Sequence, residues 1–245
     1  MKIGEILAAI DAFAPFATAQ EWDNSGLLIG SPETAVTRAL VCLDITDDAI
    51  AEAKRIGAEL IVSHHPVIFH PLSSLTSELP AYRLVESGLS AIAAHTNLDV
   101  CDGGVGTCLA KTLGLTNIRE SDEPFIKIGD LPSAMTANAF AAHCAKALGT
   151  AVRLHKGVEP ITTVAVGGGS CGEFARAAET AGAEAFVSGE IRHHEYLGER
   201  LTLIEGGHYA TEQPAIAPFA EVLKTACPSV EWSVYDIGEP YETVE

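Results

Sequence analysis

The sequence has no C-x-x-C pair, no repeat, no low-complexity tract and no apolar run near the roughly 18 residues of a membrane-spanning helix. Without paired cysteines, neither a thiolate zinc site nor a disulfide framework is expected. Cys42, Cys101, Cys108, Cys144, Cys171 and Cys227 fall mostly inside apolar runs and read as reduced, buried, small hydrophobes. Basic residues are scarce too. Fifteen Lys and Arg against 33 Asp and Glu leave a formal charge of −18. That excludes a general nucleic-acid or anionic-membrane binder, since such partners need a basic surface. The opening stretch MKIGEILAAIDAF is amphipathic at helical spacing and unlike a signal peptide, so a cytoplasmic protein is expected. Hydrophobic residues are plentiful, at 47% against 20% charged. A chain of 245 residues with that balance can bury a sizeable core, in one large domain or two small ones.

Along the chain, short β-branched runs alternate with helical stretches. Ile3, Ile6, Leu7, Ile10 and Phe13 mark an opening helix. ALVCLDI (39–45), ELIVS (59–63) and LSAIAA (89–94) read as buried strands. Between the first two, Thr46 caps a helix that carries Asp47 and Asp48 in its first turn and stops at Gly57. Such alternation predicts an α/β fold with largely parallel sheets. A seam of mixed charge, proline and glycine at about 117–132 divides it into two interlocked α/β lobes. The expected boundaries are 1–120 plus about 205–245 for the first lobe and about 121–204 for the second.

Nine histidines stand out in this composition, four of them as the pairs His64-His65 and His193-His194. Three strand ends deliver polar residues: IVS runs into His64 and His65, IAA into His95 and then Asp99, IEGG into His208 and then Glu212. Beyond strand carboxyl ends lies the usual ligand crevice of an open parallel sheet. His208 and Glu212 are four apart at a helix start, which stacks them on one face. His95 and Asp99 are also four apart, on a segment that reads as a turn. Imidazole with carboxylate suits zinc, manganese or iron, and a bridging carboxylate can hold two ions. Independent core and helix-cap roles are the competing reading of the same residues.

S-H-H-P-V-I-F at 63–69, A-H-T-N-L-D at 94–99 and G-H-Y-A-T-E at 207–212 resemble, in order and spacing, the NIF-three-like family, also described as GTP cyclohydrolase I type two homologs. W-D-N-S-G-L-L-I-G at 22–30 looks like that family's N-terminal loop, and the resemblance covers essentially the whole chain in its short form. It implies a dinuclear metal site facing the cavity of a toroidal homohexamer. By the resemblance, His64 and Asp99 are ligands of one ion, His65 and His208 of the other, and Glu212 is the bridge. His95 is implied as a catalytic or ligand-supporting residue. One departure lies at Gly106-Thr107, where the family commonly carries Asn-Asp.

Other signals compete. Gly167, Gly169 and Gly172 form G-x-G-x-x-G after an apolar run, read first as a tight strand-to-helix turn and second as a phosphate loop. Ser188 and Glu190 follow a strand end and are candidates to face the cleft. His193 and His194 are read as exposed helix residues, with a third metal as the alternative. Trp22, Asp23, Asn24 and Ser25 are candidates for a lid or rim. No Ser-His-Asp grouping with a G-x-S-x-G elbow is read here, which sets the serine-hydrolase class aside. The expectation is a metal-dependent hydrolase acting on a small molecule, a nucleotide such as GTP among the candidates, with metal-activated water and His95 as proton shuttle. A metal-binding or metal-handling scaffold without turnover shares the same ligands.

Overall fold

The computed structural model describes residues 1–242. The chain forms two compact units. The first is Met1–Cys101 with Ile216–Gly238, and the second is Asp102–Ala215 with the end of the chain from Glu239. Four strands come first: β1 (Gly26–Ile29), β2 (Arg38–Cys42), β3 (Leu60–Ser63) and β4 (Ser90–Ala93). Six belong to the second unit: β5 (Thr116–Glu120), β6 (Lys127–Met135), β7 (Arg153–His155), β8 (Ile161–Gly167), β9 (Ala185–Ser188) and β10 (Thr202–Glu205). β11 (Glu231–Val234) returns to the first.

The first unit holds a five-stranded sheet in the order β1-β4-β3-β2-β11. Its pairings are parallel except β1 against β4. The helix Asp47–Ile56 forms as its caps require: Thr46 accepts from Ala49 N at 3.2 Å, and Gly57 ends it in the left-handed conformation. Its buried Ala49, Ile50 and Ala53 pack on Leu40, Ile61 and Ala91 of the sheet. The opening helix Ile3–Phe13 buries Ile3, Ile6 and Ile10 on one face, matching the spacing in the sequence.

The second unit holds six strands in the order β5-β6-β8-β9-β10-β7. Only β8-β9 and β9-β10 pair in parallel, so this sheet is mixed, with its parallel pairs at the centre. Successive residues of β8 and β9 alternate between two apolar clusters. Val164, Val166, Ala185 and Val187 join Phe140 and Cys144 on one face, whereas Ala165 and Phe186 join Ile128 and Leu203 on the other. A strand covered on both faces reads as a continuous apolar run, as AFVS does.

The unit boundaries differ from those the composition suggests. The expected seam at 117–132 does not divide the units: β5 pairs with β6, and β6 pairs with β8, so most of this polar stretch is sheet within the second unit. Residues 205–215 stay there as well, because β10 pairs with β9. The departure at Gly106-Thr107 falls in the helix Val105–Thr112, where Gly106 leaves room for the buried Lys127. A Cβ at Gly106 would stand 2.9 Å from Lys127 Cγ. All six cysteines are buried thiols outside any disulfide. Burial pushes the Cys144 thiol up to about 12, so it stays protonated and takes no part in nucleophilic chemistry. Among the described residues no helix is long and apolar enough to cross a membrane.

Candidate metal centre

In the first unit, β3 and β4 lie side by side and in register, Ser63 opposite Ala93, so the residues just past both strand ends emerge together. His64 and His65 leave β3 with their backbone N–H groups bonded to Cys42 O and Leu43 O, which fixes the turn. His95 follows β4, and the segment after it, read from sequence as a turn, is a one-turn helix, Thr96–Val100, carrying Asp99. The three imidazole rings form a cluster with centroids 4.9 to 5.6 Å apart. One potential ligand atom from each of His64, His65 and His95 lies within 4.8 Å of the others. His64 Nε2 stands 3.5 Å from Asp99 Oδ1.

Each ring is held by its other nitrogen. His64 Nδ1 donates to Ala94 O at 2.9 Å, His65 Nδ1 to Asp44 Oδ1 at 2.8 Å and His95 Nδ1 to Asp23 Oδ1 at 2.7 Å. A carbonyl or an ionised carboxylate can only accept, so Nδ1 carries the proton and Nε2 of the neutral ring keeps the lone pair. Metal-binding histidines are oriented in this way. Asp23 is itself pinned. It accepts from Thr96 N at 3.1 Å, Thr96 Oγ1 at 2.6 Å and Ser25 Oγ at 2.8 Å. Burial pushes its carboxyl up, but the hydrogen bonds from His95, Thr96 and Ser25 outweigh it and hold it well below the usual carboxylate range. Asp23 was expected at a rim; it lies beneath His95. Asp44 carries no motif signal in the sequence and emerges only from the fold.

In the second unit, the helix His208–Glu212 follows β10. Its four-residue spacing puts His208 Nε2 3.1 Å from Glu212 Oε2. Glu212 is buried. His208 Nδ1 donates to Glu190 Oε1 at 3.0 Å, the same arrangement as in the first unit. Burial raises the Glu190 carboxyl, yet the Ser170 hydroxyl and His208 together bring it below its ordinary value. Glu190 therefore has a role as the partner that orients His208.

The glycine motif is explained by the same neighbourhood. Gly169 has φ +62°, and a Cβ there would run into Glu212 Oε1 and come within 3.3 Å of His208 Nε2. Its N–H donates to Thr211 Oγ1 at 3.1 Å, and Ser188 Oγ donates to its carbonyl at 3.2 Å. The turn thus brings backbone against the Glu212 carboxylate, and the fully buried Ser188 holds the turn instead of facing a cleft. Gly169→Ala is expected to destabilise the protein by more than about 1 kcal/mol in urea unfolding and to lower its metal content, because strain and a displaced carboxylate come together.

Gly168-Gly169-Ser170-Cys171-Gly172 also spells G-x-S-x-G, so the exclusion of a serine hydrolase has to rest on geometry. The Ser170 hydroxyl donates to the Glu190 carboxylate, while Nε2 of His208 faces Glu212. A nucleophilic serine needs the imidazole as its base. That contact is absent from the hydrogen bonds of Ser170 among the described residues. His193 and His194 lie exposed on the short turn His193–Tyr196 and join no metal-competent group among the described residues. His143 and His155 bond the carbonyls of Leu113 and Glu199.

A sequence profile of the family described as Duf34/NIF3 (NGG1p interacting factor 3) matches residues 1–240. The chain belongs to the Duf34/NIF3 family. A Lactococcus lactis relative named GTP cyclohydrolase 1 type 2 homolog is 33% identical over 222 residues, covering 85% of this chain and 86% of the relative. Among solved structures, a Staphylococcus aureus hypothetical protein superposes with a TM-score of 0.88 at 29% identity, covering 100% of this chain and 99% of that one. A Bacillus cereus protein related to NIF3 gives 0.92 at 20% identity, again covering 100% and 99%, a likeness of fold alone. The mixed α/β architecture with two sheets is that of the Duf34/NIF3 superfamily.

Proposed function

We propose that this Duf34/NIF3 protein is a dinuclear metal-dependent hydrolase. The supporting observation is the orientation of four imidazoles, those of His64, His65, His95 and His208. Each bonds a carbonyl or carboxylate through Nδ1, so its lone pair is on Nε2, suited to a metal at His64, His65 and His208 and to a proton at His95. Imidazole nitrogens with carboxylate oxygens and no thiolate suit a zinc, manganese or iron site. In this reading His64 and Asp99 would hold one ion and His65 and His208 the second, with the Glu212 carboxylate available to both. When bound, such ions supply the Lewis acidity that activates water near neutral pH.

The chain's own groups then have separable roles. The Asp99 and Glu212 carboxylates offset cationic charge. His95 accepts a proton at Nε2 while its Nδ1–H stays on Asp23, whose low-lying carboxylate stabilises the imidazolium. The names of the curated relatives suggest GTP as substrate, with hydrolytic opening of the guanine imidazole at C8 and loss of formate. The test is formate release from GTP by protein reconstituted with zinc, manganese or ferrous iron, with metal content measured on the same sample. Formate release that a chelator abolishes supports the reading. Fully loaded protein that turns over no nucleotide would assign the chain to metal handling without catalysis.

The proposed assembly is a cytoplasmic homohexamer. β11 is an edge strand with Val234 exposed, and closing a ring would cover such an edge. Light scattering is expected to report six chains, and a particle of 25.7 kDa would overturn this assembly.

A further inference from the structure

Two large aromatic side chains are left exposed beside the imidazole cluster of the first unit. Trp22 is 60% exposed and Phe69 40%. Their ring centroids are 5.9 Å apart, and each stands close to His95, Trp22 at 6.2 Å and Phe69 at 5.9 Å. Both meet the His95 ring edge-on, at interplanar angles of 75° and 74°. The segments that carry them are tied together and to the site. Asn24 Nδ2 donates to Ile68 O at 2.5 Å, and Asp23, next to Trp22, is bonded to His95 and Thr96. The segments that carry the rings are therefore tied down before any ligand arrives, which lowers the entropic cost of binding.

We propose that Trp22 and Phe69 form a stacking platform that seats a planar nitrogen heteroaromatic ring, such as a purine, beside His95. This deepens the hydrolase reading of the same site and rests on it for the identity of the reacting end. Exposed aromatic faces bind π-systems of any base by stacking. Trp22 and Phe69 are tilted 51° to one another, so a planar ring stacks on one face and meets the other at an angle, whereas an aliphatic substrate offers no π-face to either. The occupant is a small molecule and not a nucleic acid strand, because a chain of net charge −18 lacks the basic surface that a long phosphate backbone needs. A second copy of the chain covering the rings is the competing occupant, and particle size separates it from a small molecule.

The test is calorimetric titration of the full-length chain with inosine and with ribose, before and after treatment with a chelator. Inosine is expected to bind and ribose not. Trp22→Ala and Phe69→Ala are each expected to weaken inosine about tenfold or more, and Trp22→Phe to restore most of the loss. Ribose binding as tightly as inosine, no inosine binding at all, or unchanged inosine affinity in Trp22→Ala would overturn the proposal. So would a change of particle size in Trp22→Ala or Phe69→Ala by light scattering, which would mean that another copy covers the rings. Elemental analysis separates this inference from the one beneath it. Inosine binding by a protein that loads no metal keeps the platform and ends the hydrolase reading. Two ions per chain without inosine binding does the reverse.

Discussion

Glu212→Ala is expected to take metal content after reconstitution from about two ions per chain to well under one. His65→Ala should lose only about one. The difference follows from the proposed sharing. A bridging carboxylate offsets charge on both ions, so its removal leaves each with too few anionic donors, whereas His65 serves one. Glu212 is buried on the one-turn helix after β10, with Oε2 3.1 Å from His208 Nε2 and the Gly168-Gly169 backbone against it. Truncation to alanine therefore leaves a void as well as removing a charge, and a thermal melt of the metal-free variant must accompany the measurement. Glu212→Gln keeps the volume and removes the charge. If it retains both ions, the carboxylate is no bridge. Elemental analysis decides between these outcomes.

The second large effect is expected at His95. If it moves protons without holding an ion, His95→Ala should lower turnover by about 10²–10⁴-fold while leaving metal content nearly unchanged. Asp99→Ala should lower both together, because its carboxylate is assigned as a ligand. The structure sharpens this contrast, since the potential ligand atom of His95 lies as close to those of His64 and His65 as a ligand would. Parallel loss of metal and rate in His95→Ala would make His95 a third imidazole ligand and move the proton transfer elsewhere. Asp23→Asn gives an independent check. An amide can offer its own N–H to His95 Nδ1 and so disturb the ring's tautomer and orientation. Turnover should fall there too, with metal content retained.

Much of this protein is legible in one dimension. The helix caps at Thr46 and Gly57, the buried strands 39–42, 60–63 and 90–93 and the apolar stripe of the opening helix follow from local propensity and periodicity, which need no distant partner. The candidate donors were legible for a similar reason. His64, His65, His95 and His208 follow strand ends, and their short motifs survive as contiguous residues. The α/β class and the family follow from the same runs.

Tertiary structure decided what depends on partners far along the chain. β5 and β6 carry charge, proline and glycine and so read as a seam between lobes, and it is the pairing of β5 with β6 and of β6 with β8 that makes them sheet. Asp23 lies 72 residues from the ring it holds and Asp44 lies 21 from His65, separations at which no periodic pattern links a carboxylate to an imidazole. The glycine turn shows the limit most clearly. Gly167-x-Gly169-x-x-Gly172 reads as a tight turn or, second, a phosphate loop, and shifted by one it spells a serine elbow. Which atom approaches Gly169 is a matter of close packing in three dimensions, and that atom is the Glu212 carboxylate oxygen.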